Sequence, residues 1–190
     1  MYGGYCMDKH NLEVYIKMDL LRYGEDTSIK KLISTLIKKS AFRFIYVFRK
    51  CQYHINRNKI RFIIYKFFLI RYKSKYGYQI PIDVRIGKGM LIDHLGSVII
   101  NKDVIIGDLI TINSSVTIGQ TNRGLKKGSP TIGNKVWIGA NAVIVGKIVI
   151  GNNVLIAPNS YVNTDVPDNS VVIGNPAKII HKENATEGYI

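Results

Sequence analysis

From residue 80 to residue 166 the aliphatic side chains fall in sixes. Ile80, Ile86 and Ile92 open the series, and Ile100, Ile106, Ile112 and Ile118 continue it. Ile132, Ile138, Ile144, Ile150, Ile156 and Val162 close it. A second small or aliphatic position lies four residues after most of these, at Val84, Met90, Gly96, Val104, Ile110, Val116, Val136, Ala142, Ile148, Val154, Ser160 and Val166. Six is not a helical period. On a strand, residues i and i+2 share a face, so a short strand followed by a tight corner turns every sixth side chain inward. Gly and Asn at the corners allow backbone angles that other residues avoid. Three faces make a triangular coil, and stacked coils bury a column of Ile and Val. The pattern predicts a parallel β-helix rather than a β-sandwich.

Two slips interrupt the count. The step from Ile92 to Ile100 is eight residues and contains Asp93, His94, Leu95 and Gly96. The step from Ile118 to Ile132 is fourteen and holds the polar run from Gln120 to Pro130. A regular solenoid accepts insertions as loops, and loops on a rigid scaffold carry function. The two slips are therefore the candidate site.

Upstream the periodicity is helical. Residues 11–22 read as a short helix with Asn11 as its cap and Gly24 past its end. Thr27 or Ser28 caps a second helix through Lys39. Residues 41–54 and 58–75 form two more, rich in aromatics and cations. The last contains Phe62, Ile63, Ile64, Tyr65, Phe67, Phe68, Leu69 and Ile70, interrupted by Lys66. A membrane span needs about 20 mostly apolar residues, so this run is too short. The expected division is a basic helical region at 1–76, a β-helix at 77–181 with a loop at 119–131, and a loosely held tail at 182–190.

Charge sharpens this division. The net charge is +14. Before Ile80 there are 17 Lys and Arg against 5 Asp and Glu; from Ile80 onward there are 10 against 8. The favoured role for the basic helices is to cap the open end of the solenoid and pack on neighbouring subunits. The alternative is peripheral contact with an anionic membrane surface. Nucleic-acid binding is not expected, because no known motif accompanies the charge. Cys6 and Cys51 make no disulfide framework and suit a reducing compartment. Residues 1–10 show no signal-peptide pattern, so a cytoplasmic location is expected, with peripheral contact at the inner face of the membrane as the alternative.

The stretches LIDHLGSVII, VTIGQTNRG and VWIGANAVIVG, and more weakly DLLRYG, resemble the serine acetyltransferase-like branch of the hexapeptide-repeat acyltransferases. The resemblance is greatest to short polysaccharide O-acetyltransferases of the colanic acid type. It implies an all-β left-handed parallel β-helix, with an N-terminal α-helical region in this chain. It also implies a homotrimer and acetyl transfer from acetyl-CoA, with no metal required. A zinc enzyme of carbonic anhydrase type would need several histidines within the coils, and only His94 lies there.

Transfer of acetyl to a hydroxyl calls for a base, and imidazole suits that role near neutral pH. His94 matches the family's catalytic histidine and sits at the first slip. His10, His54 and His181 lie outside the repeat and read as surface residues. The family's Asp that orients the histidine is replaced by Gln79, which offers an amide oxygen without charge. Asp93 matches an acceptor-binding Asp, and Asn122 is a second candidate for acceptor binding. The family's CoA lies in a groove between neighbouring β-helices. The resemblance assigns Gly119, Gly139, Ala140 and Ala157 to the pantetheine arm, since small residues permit close backbone approach. Trp137 lines the groove, and Arg123, Lys126, Lys127 and Lys178 meet the CoA phosphates.

For the acceptor the expectation is a sugar hydroxyl of a cell-surface polysaccharide or its precursor. The alternative is serine, as in serine O-acetyltransferase. Against serine stand Gly128 and Ser129, where the family's serine enzymes carry an Arg-His pair that holds the serine carboxylate. A non-catalytic structural β-helix would need neither a histidine at a repeat break nor a polar loop.

Overall fold

The computed structural model describes residues 9–190; Cys6 lies outside them. Four helices come first among the described residues: α1 (Lys9–Leu21), α2 (Ile29–Lys38), α3 (Ser40–His54) and α4 (Lys59–Tyr76). Each lies within two residues of the span its periodicity predicts. Asn11 sits inside α1 rather than capping it. Ser28 caps α2 by accepting the Lys31 N–H at 3.2 Å, and Asn58 caps α4 by accepting the Arg61 N–H at 2.9 Å. Gly77 ends α4 in the left-handed conformation, φ 76°, with its N–H donated to the Lys73 carbonyl. Among the described residues no helix is long and apolar enough to cross a membrane.

The rest is a parallel β-helix wound from three sheets. The first sheet stacks β1 (Tyr78–Gln79), β4 (Val98–Ile100), β7 (Val116–Gly119), β10 (Val143–Val145) and β13 (Tyr161–Val162). The second stacks β2 (Arg85–Ile86), β5 (Ile105–Ile106), β8 (Thr131–Ile132) and β11 (Val149–Ile150). The third stacks β3 (Leu91–Ile92), β6 (Ile110–Ile112), β9 (Val136–Ile138), β12 (Val154–Ile156) and β14 (Ser170–Ile173), and ends in β15 (Lys178–His181). The register stacks the aliphatic columns: Ile86 on Ile106 on Ile132 on Ile150, and Ile112 on Ile138 on Ile156 on Val172. Every one of these residues is buried.

Gly96 does not join the column. Val98, two residues later, is the buried member. The first slip is thus a two-residue insertion at the corner that holds His94. On another edge, a side-chain ladder links the coils. Asn134 Oδ1 accepts the Asp108 N–H at 2.7 Å, and Asn152 Oδ1 accepts the Asn134 N–H at 2.8 Å. Asp168 Oδ1 accepts the Asn152 N–H at 2.7 Å.

The first coil has no coil beneath it, so its polar groups need other partners. Helix α3 supplies a cover: Phe44, Phe48 and Cys51 pack into one core with Tyr78 and Ile80. Arg49, fully buried, donates to the carbonyls of Ile86 at 2.7 Å and Gly87 at 2.6 Å. It also pairs with Asp19 at 2.9 Å, and Asp19 accepts the Met90 N–H at 2.8 Å. Gln52 Nε2 donates to the Ile82 and Val84 carbonyls. His54, expected at the surface, is buried on α3 and stacked on Tyr65. The tail is docked rather than loose. Thr186 is buried and donates its hydroxyl to Asn153 Oδ1 at 2.8 Å.

Candidate active site

His94 occupies the inserted corner between β3 and β4 in a left-handed conformation, φ 61°. Its side chain is 72% exposed. Asp93 is fixed one residue before: its N–H donates to the Ile112 carbonyl of the next coil. Asp93 Oδ1 accepts the His94 N–H at 3.0 Å, and its Oδ2 stands 3.7 Å from His94 Nε2. A carboxylate at that distance restrains the ring.

A cavity of about 630 Å³ opens beside this corner, with Arg22, Tyr23, Lys38, Lys39, Asp93 and His94 in its wall. Arg22 is held by the fold: its guanidinium donates to the Gly89 carbonyl at 3.2 Å and to Thr111 Oγ1 at 2.8 Å. Burial lowers the pKa of its guanidinium. The Tyr23 hydroxyl is buried without a hydrogen-bond partner among the described residues. Burial pushes its pKa up, so it remains a protonated donor. Its ring stands edge-on to Phe42, with centroids 5.3 Å apart.

The same prism edge continues past the histidine. Asn113 N–H donates to the Ile138 carbonyl, Gly139 N–H to Ile156, and Ala157 N–H to Val172, as Asp93 N–H does to Ile112. Asp93, Asn113, Gly139 and Ala157 therefore stand in one column, a strand spacing of about 4.8 Å apart. Ala140 follows in the Gly139 corner. Gly139 is required there, since a Cβ would meet the Pro158 nitrogen at 2.5 Å. The result is a strip of small residues rising from His94 along the edge. Trp137 faces outward on β9 and is covered by Tyr189, ring centroids 4.8 Å apart. Lys178 is exposed on β15.

Other expected members lie elsewhere within the chain. Gln79 is exposed on β1, between buried Tyr78 and Ile80, and lines a separate hollow with Lys73 and Ser74. The nearest carboxylate partner of His94 is its own neighbour, Asp93, rather than this amide. The loop at 119–131 closes on itself, with Thr121 and Gly128 exchanging N–H···O bonds of 3.0 Å. Lys126 Nζ then donates to the Asn163 carbonyl at 2.7 Å, which ties the loop to a later coil. Asn122 accepts from Gln120 Nε2 at 2.8 Å. Gly119 is at the base of this loop, and Asn122, Arg123, Lys126 and Lys127 are not in the wall of the His94 cavity.

Sequence reasoning missed Arg22, Tyr23, Lys38 and Lys39. The one signal was the DLLRYG stretch, which joins Asp19 under the first coil to Arg22 and Tyr23 beside the site. The two lysines had none, because nothing local distinguishes them from solvated surface lysines. Among the described residues no cluster of three or more His, Cys, Asp or Glu is placed to hold a metal ion.

Residues 129–164 match the bacterial transferase hexapeptide family, described as six repeats. The matched residues lie within the stacked coils described above. Similar curated proteins include serine acetyltransferases. That of Helicobacter pylori (strain ATCC 700392 / 26695) is 40% identical over 107 residues, covering 56% of this chain and 63% of that protein. The chain thus spans less than two thirds of that relative's length. The Neisseria gonorrhoeae serine acetyltransferase in complex with serine superposes with a TM-score of 0.73 at 29% identity, covering 90% of this chain and 70% of that one. The Brucella abortus serine acetyltransferase in complex with coenzyme A gives 0.75 at 26% identity, covering 92% and 70%.

These comparisons overturn the polysaccharide acceptor and favour the alternative, serine. The charge argument against serine weighed the loop alone. Gly128 and Ser129 remove charge from the loop, but Arg22, Lys38 and Lys39 bring cations from the helical region.

Proposed function

We propose that the chain is a serine O-acetyltransferase that uses acetyl-CoA. The observation that carries this reading is the placement of His94. It stands at a corner where a cavity meets a strip of small residues, and similar proteins include serine acetyltransferases. In the proposed reaction the imidazole of His94 takes the proton of the serine hydroxyl. The oxygen attacks the thioester carbonyl and the C=O electrons move onto oxygen. The tetrahedral intermediate collapses, the C–S bond breaks, and the CoA sulfur takes the proton from the imidazolium. Asp93, 3.7 Å from His94 Nε2, holds the ring in place. The pantetheine arm lies along Asn113, Gly139, Ala140 and Ala157, close to backbone. Arg123, Lys126, Lys127 and Lys178, and Trp137 once Tyr189 moves, serve CoA from the groove between subunits of a homotrimer. Gly119, Asn122 and Gln79 would enter the site through the same subunit contact.

Assay of CoA release with serine as acceptor tests this. Serine-dependent release with O-acetylserine as product is expected. Acetyl-CoA binding without serine-dependent turnover overturns it. Sedimentation equilibrium checks the trimer, and a fully active monomer removes it.

A second reading concerns location. The outer face of α4 exposes Ile60, Ile63, Ile64, Phe67 and Ile70, and α2 exposes Ile29, Ile33 and Ile37. Between Asp26 and Asp83 there are 14 Lys and Arg and no acidic residue. We propose that this face rests on an anionic bilayer surface.

A further inference from the structure

If the reaction is acetyl transfer to serine, its acceptor must be held by more than the base. The loop that would supply a cation is tied by Lys126 to Asn163, and it carries Gly128 and Ser129 at the relevant positions. The cavity beside His94 is differently equipped. Among the described residues lining it, Asp93 is the one carboxylate, set against Arg22, Lys38 and Lys39. Lys38 ends α2, and Lys39 links it to α3 without a side-chain capping bond. Both ammonium groups are on exposed residues, and the lysine stems are long enough to turn their charge into the cavity. Among the described residues, Arg22 behind them bonds neutral oxygens, those of Gly89 and Thr111.

We infer that Lys38 and Lys39, backed by Arg22, form the carboxylate subsite for the acceptor, a role for which Gly128 and Ser129 offer no charge. The arrangement matches a small zwitterion at three points. The carboxylate meets the lysines, the ammonium group meets Asp93, and the hydroxyl meets His94. The buried, unpartnered Tyr23 hydroxyl leaves a further donor in the same wall. CoA phosphates are a poor match for these lysines. The strip of small residues leads from His94 toward the later coils, whereas α2 and α3 lie at the first coil.

The inference rests on the serine reading, and its test separates the two. Wild type, K38A/K39A and K38R/K39R are each assayed with serine and with serine methyl ester, which keeps the hydroxyl and amine but lacks the anion. Wild type should prefer serine. In K38A/K39A the KM for serine should rise about tenfold or more, because a charge-assisted bond is lost. The KM for acetyl-CoA and the rate with the ester should stay within about twofold. K38R/K39R should restore most of the preference. An unchanged serine-to-ester ratio in K38A/K39A overturns this inference alone. So does a rise confined to the KM for acetyl-CoA, which would give the lysines to CoA. Absence of serine turnover in wild type removes the serine reading and this inference together.

Discussion

At the scale of single residues, two side chains carry the most. His94→Ala should lose about 10²-fold or more in turnover, because a positioned base contributes that much. Acetyl-CoA affinity and the circular dichroism spectrum should be unchanged, since His94 is exposed and its removal opens no core. Near-normal turnover in this variant would move the chemistry elsewhere. Cys51 cannot easily take it over: it is buried, and burial pushes its thiol up to about 11. Arg49 is the structural counterpart. Arg49→Met strands Asp19 in the interior and leaves two carbonyls of the first coil uncapped. It should cost roughly 3–5 kcal/mol in urea denaturation, and D19L/R49M should recover part of that. His94 was legible because a chemical motif coincided with a break in the repeat. Arg49 was not, because its partners are 30 to 38 residues away in sequence. The same holds for Lys38 and Lys39, which reach the cavity only where the end of α2 meets the β3–β4 corner.

At the scale of elements, the sequence pattern reads well wherever a repeat or a cap imposes it. Ser28, Asn58 and Gly77 mark helix ends through local backbone chemistry, and the sixes mark the coils. The failures have one cause: a local rule cannot see which neighbour arrives. Asn11 has a capping side chain but lies within α1. Gly96 keeps the count of four yet yields its place to Val98, because the two extra residues are absorbed before the strand. The corner glycines show how tight the stacking is. A Cβ on Gly133 would meet the Gly151 carbonyl oxygen at 2.7 Å, forcing two coils apart. Gly133→Ala should therefore destabilise by about 1–3 kcal/mol. At Gly119 a Cβ would find only ordinary contact with Val145 at 3.6 Å, so Gly119→Ala should stay within about 0.5 kcal/mol. Thermal melts of the two variants compare them directly, and equal losses would deny that coil spacing sets the requirement.

At the scale of the whole molecule, charge and apolar surface coincide on one side. Helix α4 is apolar on both faces. Leu69 and Tyr76 are buried inward, with Phe62, Tyr65 and Tyr72 packed beside them, while Ile60, Ile63, Ile64, Phe67 and Ile70 point outward. Lys59, Arg61, Lys66 and Arg71 surround that outer stripe. An apolar surface of this kind marks a contact. A second copy of the same face would bring like charges together without an anion on either side. An anionic bilayer offers the opposite: headgroup phosphates for the cations and an acyl boundary for the isoleucines. The full chain should co-sediment with vesicles containing phosphatidylglycerol but not with pure phosphatidylcholine. Binding should weaken as salt rises from ~0.05 M, since screening acts over about a Debye length. Acidic substitution in the stripe, I63E/F67E, should abolish binding while leaving serine turnover intact, because no residue of α4 lines the His94 cavity. Binding indifferent to lipid charge would defeat the proposal. A drop in oligomer size for I63E/F67E without loss of vesicle binding would do the same, and would assign the stripe to a neighbouring subunit.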